Sequence, residues 1–253
     1  MSLAQACVSL SHQYLQAGLL ADAELSARQA LSMQPMEARA LHLLGLIVQR
    51  RHRAAEAGDL FARAIALDDG VAEFHNSRGV LLYDRGDYGT AATCFRRAVA
   101  LDPGNPEILT NLGNTLAALG RPAEARDCFR EAIHRSPRLA AAHVGLGSAL
   151  DALGEADGAE YCFRKALAFA PEDVEAKFQL GLLCLAATRD DEAAPLFADV
   201  LIAEPTRVPA AIGLACAFHR QGRRGDAVAL LRGMRDRLPE DARLRTALQA
   251  LEG

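Results

Sequence analysis

The apolar and polar positions of this chain recur with a single period. The tripeptides Leu44-Gly45-Leu46, Leu112-Gly113-Asn114, Leu146-Gly147-Ser148 and Leu180-Gly181-Leu182 are separated by 34 residues or a multiple of it. At that period the chain divides, without insertion or deletion, into seven repeats: 4–37, 38–71, 72–105, 106–139, 140–173, 174–207 and 208–241, with a tail at 242–253. Self-similarity at this length is the signature of a stacked array and not of a single globular core.

Five columns carry the pattern. Position eight holds Ser11, Gly45, Gly79, Gly113, Gly147, Gly181 and Ala215, and position twenty is Ala in every repeat, from Ala23 to Ala227. Position twenty-four holds Phe61, Phe95, Phe129, Phe163 and Phe197 between Ala27 and Leu231. Position twenty-seven is small or apolar, from Ala30 to Met234, and position thirty-two is Pro except at Asp69. Glycine inside a helix costs about 0.5–1 kcal/mol relative to alanine. The glycine column therefore predicts close approach of the facing helix, with the alanine column as the counterpart where two backbones nearly touch. Phe, four residues after that alanine, shares its helical face and is placed to fill the wedge between hairpins. Proline lacks an N–H and disfavours helix in the residue before it, so it ends each second helix. A further glycine column, Gly18, Gly86, Gly120, Gly154 and Gly222, falls between the two apolar-periodic stretches and supplies a helix stop and tight turn.

Each repeat thus reads as helix, turn, helix. One hairpin cannot bury both its apolar faces, so neighbours must stack into a one-dimensional array with atypical ends. The first repeat replaces Gly with Ser11 and Phe with Ala27, and the tail places Leu244, Leu248 and Leu251 on one side of a helix with Arg243 and Arg245 on the other. That tail is predicted to be a capping helix.

These columns resemble the tetratricopeptide repeat (TPR) family over residues 4–253. The resemblance implies an all-α, right-handed solenoid of seven helix-turn-helix repeats plus a C-terminal capping helix, a single superhelical domain over 1–253 making close to one turn. It also implies that first helices line a concave groove, that positions two, five, six, nine, twelve and thirteen face inward, and that the groove holds peptides or partner proteins. In the middle repeats those positions give a polar, mildly acidic strip, from which Asn76, Tyr83, Asn111, Asn114, Ser148, Asp151, Glu175 and Gln179 are the candidate partner-binding residues. Side-chain amides suit an extended segment because each offers both a donor and an acceptor. Asn111 and Asn114 are similar to asparagines lining the helical arm of O-linked N-acetylglucosamine transferases, although Ser9, Leu43, Ser77, Gly145, Gln179 and Gly213 at the equivalents of Asn111 break the ladder. The carboxylate clamp that grips chaperone tails needs Lys and Arg where this chain has Val8, His12, Leu43, Glu73 and Ser77, so that constellation is absent.

Composition narrows the function classes. A formal net charge of −4 draws the chain toward neither nucleic acid nor anionic lipid. No apolar run, that at 180–187 included, approaches the roughly 20 residues that span a bilayer. The opening Met1-Ser2-Leu3-Ala4-Gln5 lacks the basic and apolar regions of a secretory signal, so the cytoplasm is the expected compartment. Cys94, Cys128 and Cys162 are spaced by 34 residues, and on helices packed about 8–10 Å apart they are expected to be small core residues, with Cys184 and Cys216 also packed. The seven histidines do not cluster, and no phosphate loop, dinucleotide fingerprint or nucleophile elbow is present. No catalytic residue, cofactor or metal is expected. Arg96, Arg97, Arg130, Arg164 and Lys165 form a basic stripe on second helices that reads as a solvated back.

The expected function is a protein-interaction scaffold that holds a peptide or partner segment in the groove of repeats three to six. Two alternatives stand beside it. One is a substrate-recognition arm of, or accessory to, a glycosyltransferase or sulfotransferase. The other is a structural protein that self-associates through its solenoid ends.

Overall fold

In the computed structural model, residues 2–252 are described, the side chain of Glu252 excepted, and fifteen α-helices account for the described elements. The first helices of the seven repeats are α1 (Leu3–Gln16), α3 (Ala38–Arg50), α5 (Ala72–Asp84), α7 (Pro106–Ala118), α9 (Ala140–Ala152), α11 (Val174–Ala186) and α13 (Val208–Arg220). The second helices are α2 (Leu20–Met33), α4 (Ala54–Leu67), α6 (Tyr88–Leu101), α8 (Pro122–Arg135), α10 (Ala156–Phe169), α12 (Asp190–Ala203) and α14 (Arg224–Arg237), and α15 (Ala242–Glu252) follows. The chain packs as two units, Met1–Arg135 with four hairpins and Ser136–Gly253 with three hairpins and α15.

Within each unit, every hairpin's two helices pack on each other, and each second helix packs on the first helix of the next hairpin. First helices also touch along the stack, α1 on α3, α3 on α5 and α5 on α7 in one unit, α9 on α11 and α11 on α13 in the other. Among the described residues the second helices make no such contact with one another. First helices are therefore the more closely spaced set, and each unit curves toward them.

The glycine column does not mark contact between facing backbones, as the sequence suggested. A Cβ built on Gly45, Gly79, Gly113, Gly147 or Gly181 would lie 2.5–2.9 Å from Cε1 of Phe61, Phe95, Phe129, Phe163 or Phe197, the position-twenty-four ring of the same hairpin. The missing side chain is a notch for a ring edge, because a carbon pair needs about 3.5–4.0 Å. The exceptions obey the same volume rule. The same two positions hold Ser11 with the small Ala27 in the first repeat, where the Ser11 hydroxyl donates to the Ala23 carbonyl at 2.7 Å, and Ala215 with Leu231 in the last, where both are 1% exposed. Phe197 also touches the position of Gly213 in the next hairpin, so it does fill a wedge between hairpins. The position-twenty alanines are 0% exposed in all seven repeats, which explains why nothing larger occurs there.

The turn glycines all adopt positive φ, between 71° and 80°. Repeats two and six place His52 (φ 60°) and Thr188 (φ 58°) at the same position, so the left-handed turn is imposed there on side chains that disfavour it. Second helices end two residues before the proline, and in the repeat without one, α4 still ends at Leu67, where the Asp68 carboxylate accepts from the Gly70 amide at 3.0 Å. The α15 helix buries Leu244, Leu248 and Leu251 and exposes Arg243 and Arg245, as a capping helix should.

Two ion networks recur at one register. Buried Glu24 accepts from Arg28, Arg53 and Arg51 at 2.8, 2.7 and 2.5 Å, and Arg28 also reaches Glu56 at 3.0 Å. Glu160, Arg164, Arg189 and Glu192 occupy the matching positions four repeats later, with contacts of 2.5–2.9 Å. Burial alone would raise the Glu24 pKa, but the hydrogen bonds from Arg28, Arg53 and Arg51 outweigh it and hold it at about 2. Bonds from Arg189 and Arg164 outweigh burial at Glu160 and likewise hold it at about 2. Each network ties a second helix to the turn of the following hairpin.

Candidate functional site

The inner, first-helix face of Met1–Arg135 carries a cavity of about 540 Å³ bounded by α1, α3 and the start of α5. Its apolar lining comes from Val8, Leu15, Leu43, Leu46, Val71 and Phe74, and its polar lining includes His12, Arg39, His42, Arg50 and Glu73. His42 is 5% exposed; its Nε2 lies 2.9 Å from the Ser77 hydroxyl and its ring 4.8 Å from that of Phe74. Burial pushes the imidazole's pKa below its usual value, against the opposing pull of the Glu73 carboxylate. Arg50 lies in the last turn of α3 and donates to the Leu15 carbonyl at 3.2 Å, which fixes α1 against α3.

The sequence-predicted residues distribute over both units. In Met1–Arg135, Asn76 and Asn111 meet across adjacent first helices, with Asn111 Nδ2 donating to Asn76 Oδ1 at 3.0 Å. Each amide keeps one end, the Asn76 NH₂ and the Asn111 carbonyl, for another partner. Asn114 is exposed one turn further along α7. Tyr83 is half-buried, its ring 5.2 Å from that of Tyr88, and burial raises its pKa. In Ser136–Gly253, Asp151 is exposed and Ser148 half-buried on α9. Gln179 donates to Glu175 at 2.6 Å, and Glu175 is held by Arg207 at 2.6 Å. Arg207 in turn stacks 4.0 Å over the Phe178 ring. Glu175 and Gln179 are thus partly engaged within the unit.

Other side chains resolve simply. His75 and His143 are buried, each with Nε2 at 3.0 or 2.9 Å from the carbonyl six residues earlier, Asp69 or Pro137, so each pins the linker between hairpins. Cys94 and Cys162 are buried and Cys128 half-buried; burial raises the thiol pKa of Cys94 and Cys128, which leaves them poor nucleophiles. Cys184 is buried as expected, but Cys216 is exposed, because position nine of α13 faces away from the packed side. On the basic stripe, Arg97 pairs with Asp69 at 3.1 Å and Arg164 with Glu192 at 2.7 Å, so acids from neighbouring repeats neutralise part of it. Among the described residues no group of three or more His, Cys, Asp and Glu could hold a metal ion, and no helix is long and apolar enough to cross a membrane.

Comparison with known proteins agrees with this geometry. Family models described as tetratricopeptide repeat match residues 9–72, 110–173 and 146–208, and a second of that description matches 185–251. A model described as TPR repeat matches 79–120. The chain belongs to the tetratricopeptide repeat family. Among solved structures, PilF of Pseudomonas aeruginosa is 21% identical with a TM-score of 0.74, over 82% of this chain and 95% of that one. PilW, a widely conserved type IV pilus biogenesis factor, is 20% identical with a TM-score of 0.76, over 83% and 98%. YrrB, a TPR protein with an unusual peptide-binding site, is 18% identical with a TM-score of 0.59, over 73% and 95%. At these identities the likeness is one of fold. No curated protein matches the chain.

The cavity was not singled out in the sequence. All of its lining residues except Val71 and Phe74 stand at inward positions of the first three repeats, and Arg39 was the available signal: position two otherwise holds Gln5, Glu73, Glu107, Ala141, Glu175 and Pro209, so it is the one cation in that column.

Proposed function

We propose that this TPR protein is a binding module that holds a segment of a partner protein along the inner, first-helix face, with no chemistry of its own. The observation that carries this reading is the cavity on that face, lined by both apolar and polar side chains, with the half-free amides of Asn76 and Asn111 further along the same unit. A groove that combines apolar lining with a few placed polar groups is the usual form of a recognition site. YrrB, which shares the fold, is described by its peptide-binding site, and this supports the reading by analogy. Asn76, Tyr83, Asn111 and Asn114 are the proposed polar contacts in Met1–Arg135. Ser148, Asp151, Glu175 and Gln179 are those proposed on the first-helix face of Ser136–Gly253.

The test is selection of binders from a random peptide library displayed on phage, followed by titration of the selected peptides. Asn76→Ala, Asn111→Ala and Asn114→Ala combined should weaken binding by about 0.5–1.5 kcal/mol per main-chain hydrogen bond lost. Selected peptides that bind the triple variant and a Leu46→Asp variant as well as the wild type would place the site elsewhere.

A further inference from the structure

Arg39 is a cation without a structural reason for its place. It lies in the first turn of α3, where the exposed N–H groups and the helix dipole favour a carboxylate and disfavour a guanidinium. It is exposed, and among the described residues it forms neither an ion pair nor a side-chain hydrogen bond. Its neighbours in the cavity are accounted for. Arg50 suits the last turn of α3 and donates to the Leu15 carbonyl, while Glu73 suits the first turn of α5. His12 bonds Gln16 at 2.8 Å, and His42 bonds Ser77. Among its permanently charged groups the lining has two arginines against one carboxylate, beside apolar side chains.

We infer that the cavity takes a bulky apolar side chain from an acidic segment of a partner protein, with a carboxylate of that segment against Arg39. This rests on the first-helix face being the binding face. Charge complementarity selects the occupant. A segment bearing Asp or Glu next to its anchor pairs with the unpartnered guanidinium, and a lysine-flanked one meets two like charges at the mouth. A guanidinium next to an apolar wall is weakly hydrated and binds carboxylates in a planar fork, which suits this role better than an ammonium would.

The probes are two pools of twelve-residue peptides, acetylated and amidated so that neither has a terminal charge. Each peptide has one central Leu or Phe, flanked by Asp and Glu in one pool and by Lys in the other. The acidic pool should bind the full chain at least tenfold more tightly, with affinity falling as salt rises. Arg39→Glu should cut that binding at least tenfold and bring the lysine pool up to or above it. Arg39→Gln, which removes charge without reversing it, should fall between, and circular dichroism confirms that both variants are helical. If the lysine pool binds equally well, or Arg39→Glu changes nothing while Leu46→Asp abolishes binding, the acidic partner is wrong and the inner-face reading stands. Binding that survives Leu46→Asp overturns both. No binding of the acidic pool to the wild type at millimolar concentration overturns the proposal.

Discussion

The Gly113–Phe129 notch gives the sharpest test of how the repeats hold together. Replacing Gly113 with Ala adds a Cβ that would sit 2.7 Å from Cε1, 2.8 Å from Cζ and 3.0 Å from Cδ1 of Phe129. Ordinary carbon contacts lie near 3.5–4.0 Å, so the ring must retreat by about 0.5–1 Å. It has nowhere to go: Phe129, Ala125 and Ala132 are all 0% exposed. Forcing an extra carbon into such packing costs about 1–3 kcal/mol, while alanine in a helix interior returns about 1 kcal/mol over glycine. Gly113→Ala alone should therefore range from neutral to destabilising by about 2 kcal/mol. The decisive quantity is the coupling. In a Phe129→Leu background the notch is relieved, as in the Ala215–Leu231 pair, and Gly113→Ala should stabilise by about 1 kcal/mol. The double-mutant coupling should be about 1–3 kcal/mol, read from urea unfolding midpoints and from amide hydrogen exchange in α7 and α8, which reports local opening where a repeat array departs from two-state behaviour. Additivity within about 0.3–0.5 kcal/mol would refute the notch as the reason for the glycine column.

Three further outcomes follow from the same physics. Thr188→Gly should raise stability by about 1 kcal/mol in urea, because a β-branched residue at φ 58° is replaced by one that adopts the left-handed region freely; no gain would mean that the Thr188 hydroxyl bond to the Ala187 carbonyl compensates. Pro195, inside α12 and exposed, removes one helical hydrogen bond, so Pro195→Ala should stabilise by up to about 3 kcal/mol in thermal unfolding. Glu24 and Glu160 are held at a pKa of about 2 against an ordinary 4.5, so their networks stabilise the fold fully above pH 4.5 and lose that contribution as pH falls through 2. With the arginine partners mostly a third to a half exposed, each contributes about 1–2 kcal/mol, and wild type and Glu24→Gln should differ at pH 6 and converge by pH 2.

Much of this protein is determined by sequence positions that act locally. The 34-residue period, the alanine and phenylalanine columns and the proline stops predict helical hairpins and their ends, because helix propensity, turn chemistry and side-chain volume act within one repeat. The capping helix is legible for the same reason, as three leucines at helical spacing with arginines opposite. Even the rule behind the glycine column is written in the sequence as paired volumes, Ser11 with Ala27, Gly with Phe, and Ala215 with Leu231, although only the coordinates show that a ring edge fills the notch. Packing decided the rest. His42 meets Ser77, Asn76 meets Asn111, and Arg50 meets the Leu15 carbonyl, each pair 35 residues apart, while the Glu24 network joins residues 27–29 apart. These meetings, and the cavity beside Arg39, depend on how far one hairpin is rotated and offset against the next. That offset is set by the summed contacts of whole helix faces, so no column read within a single repeat contains it.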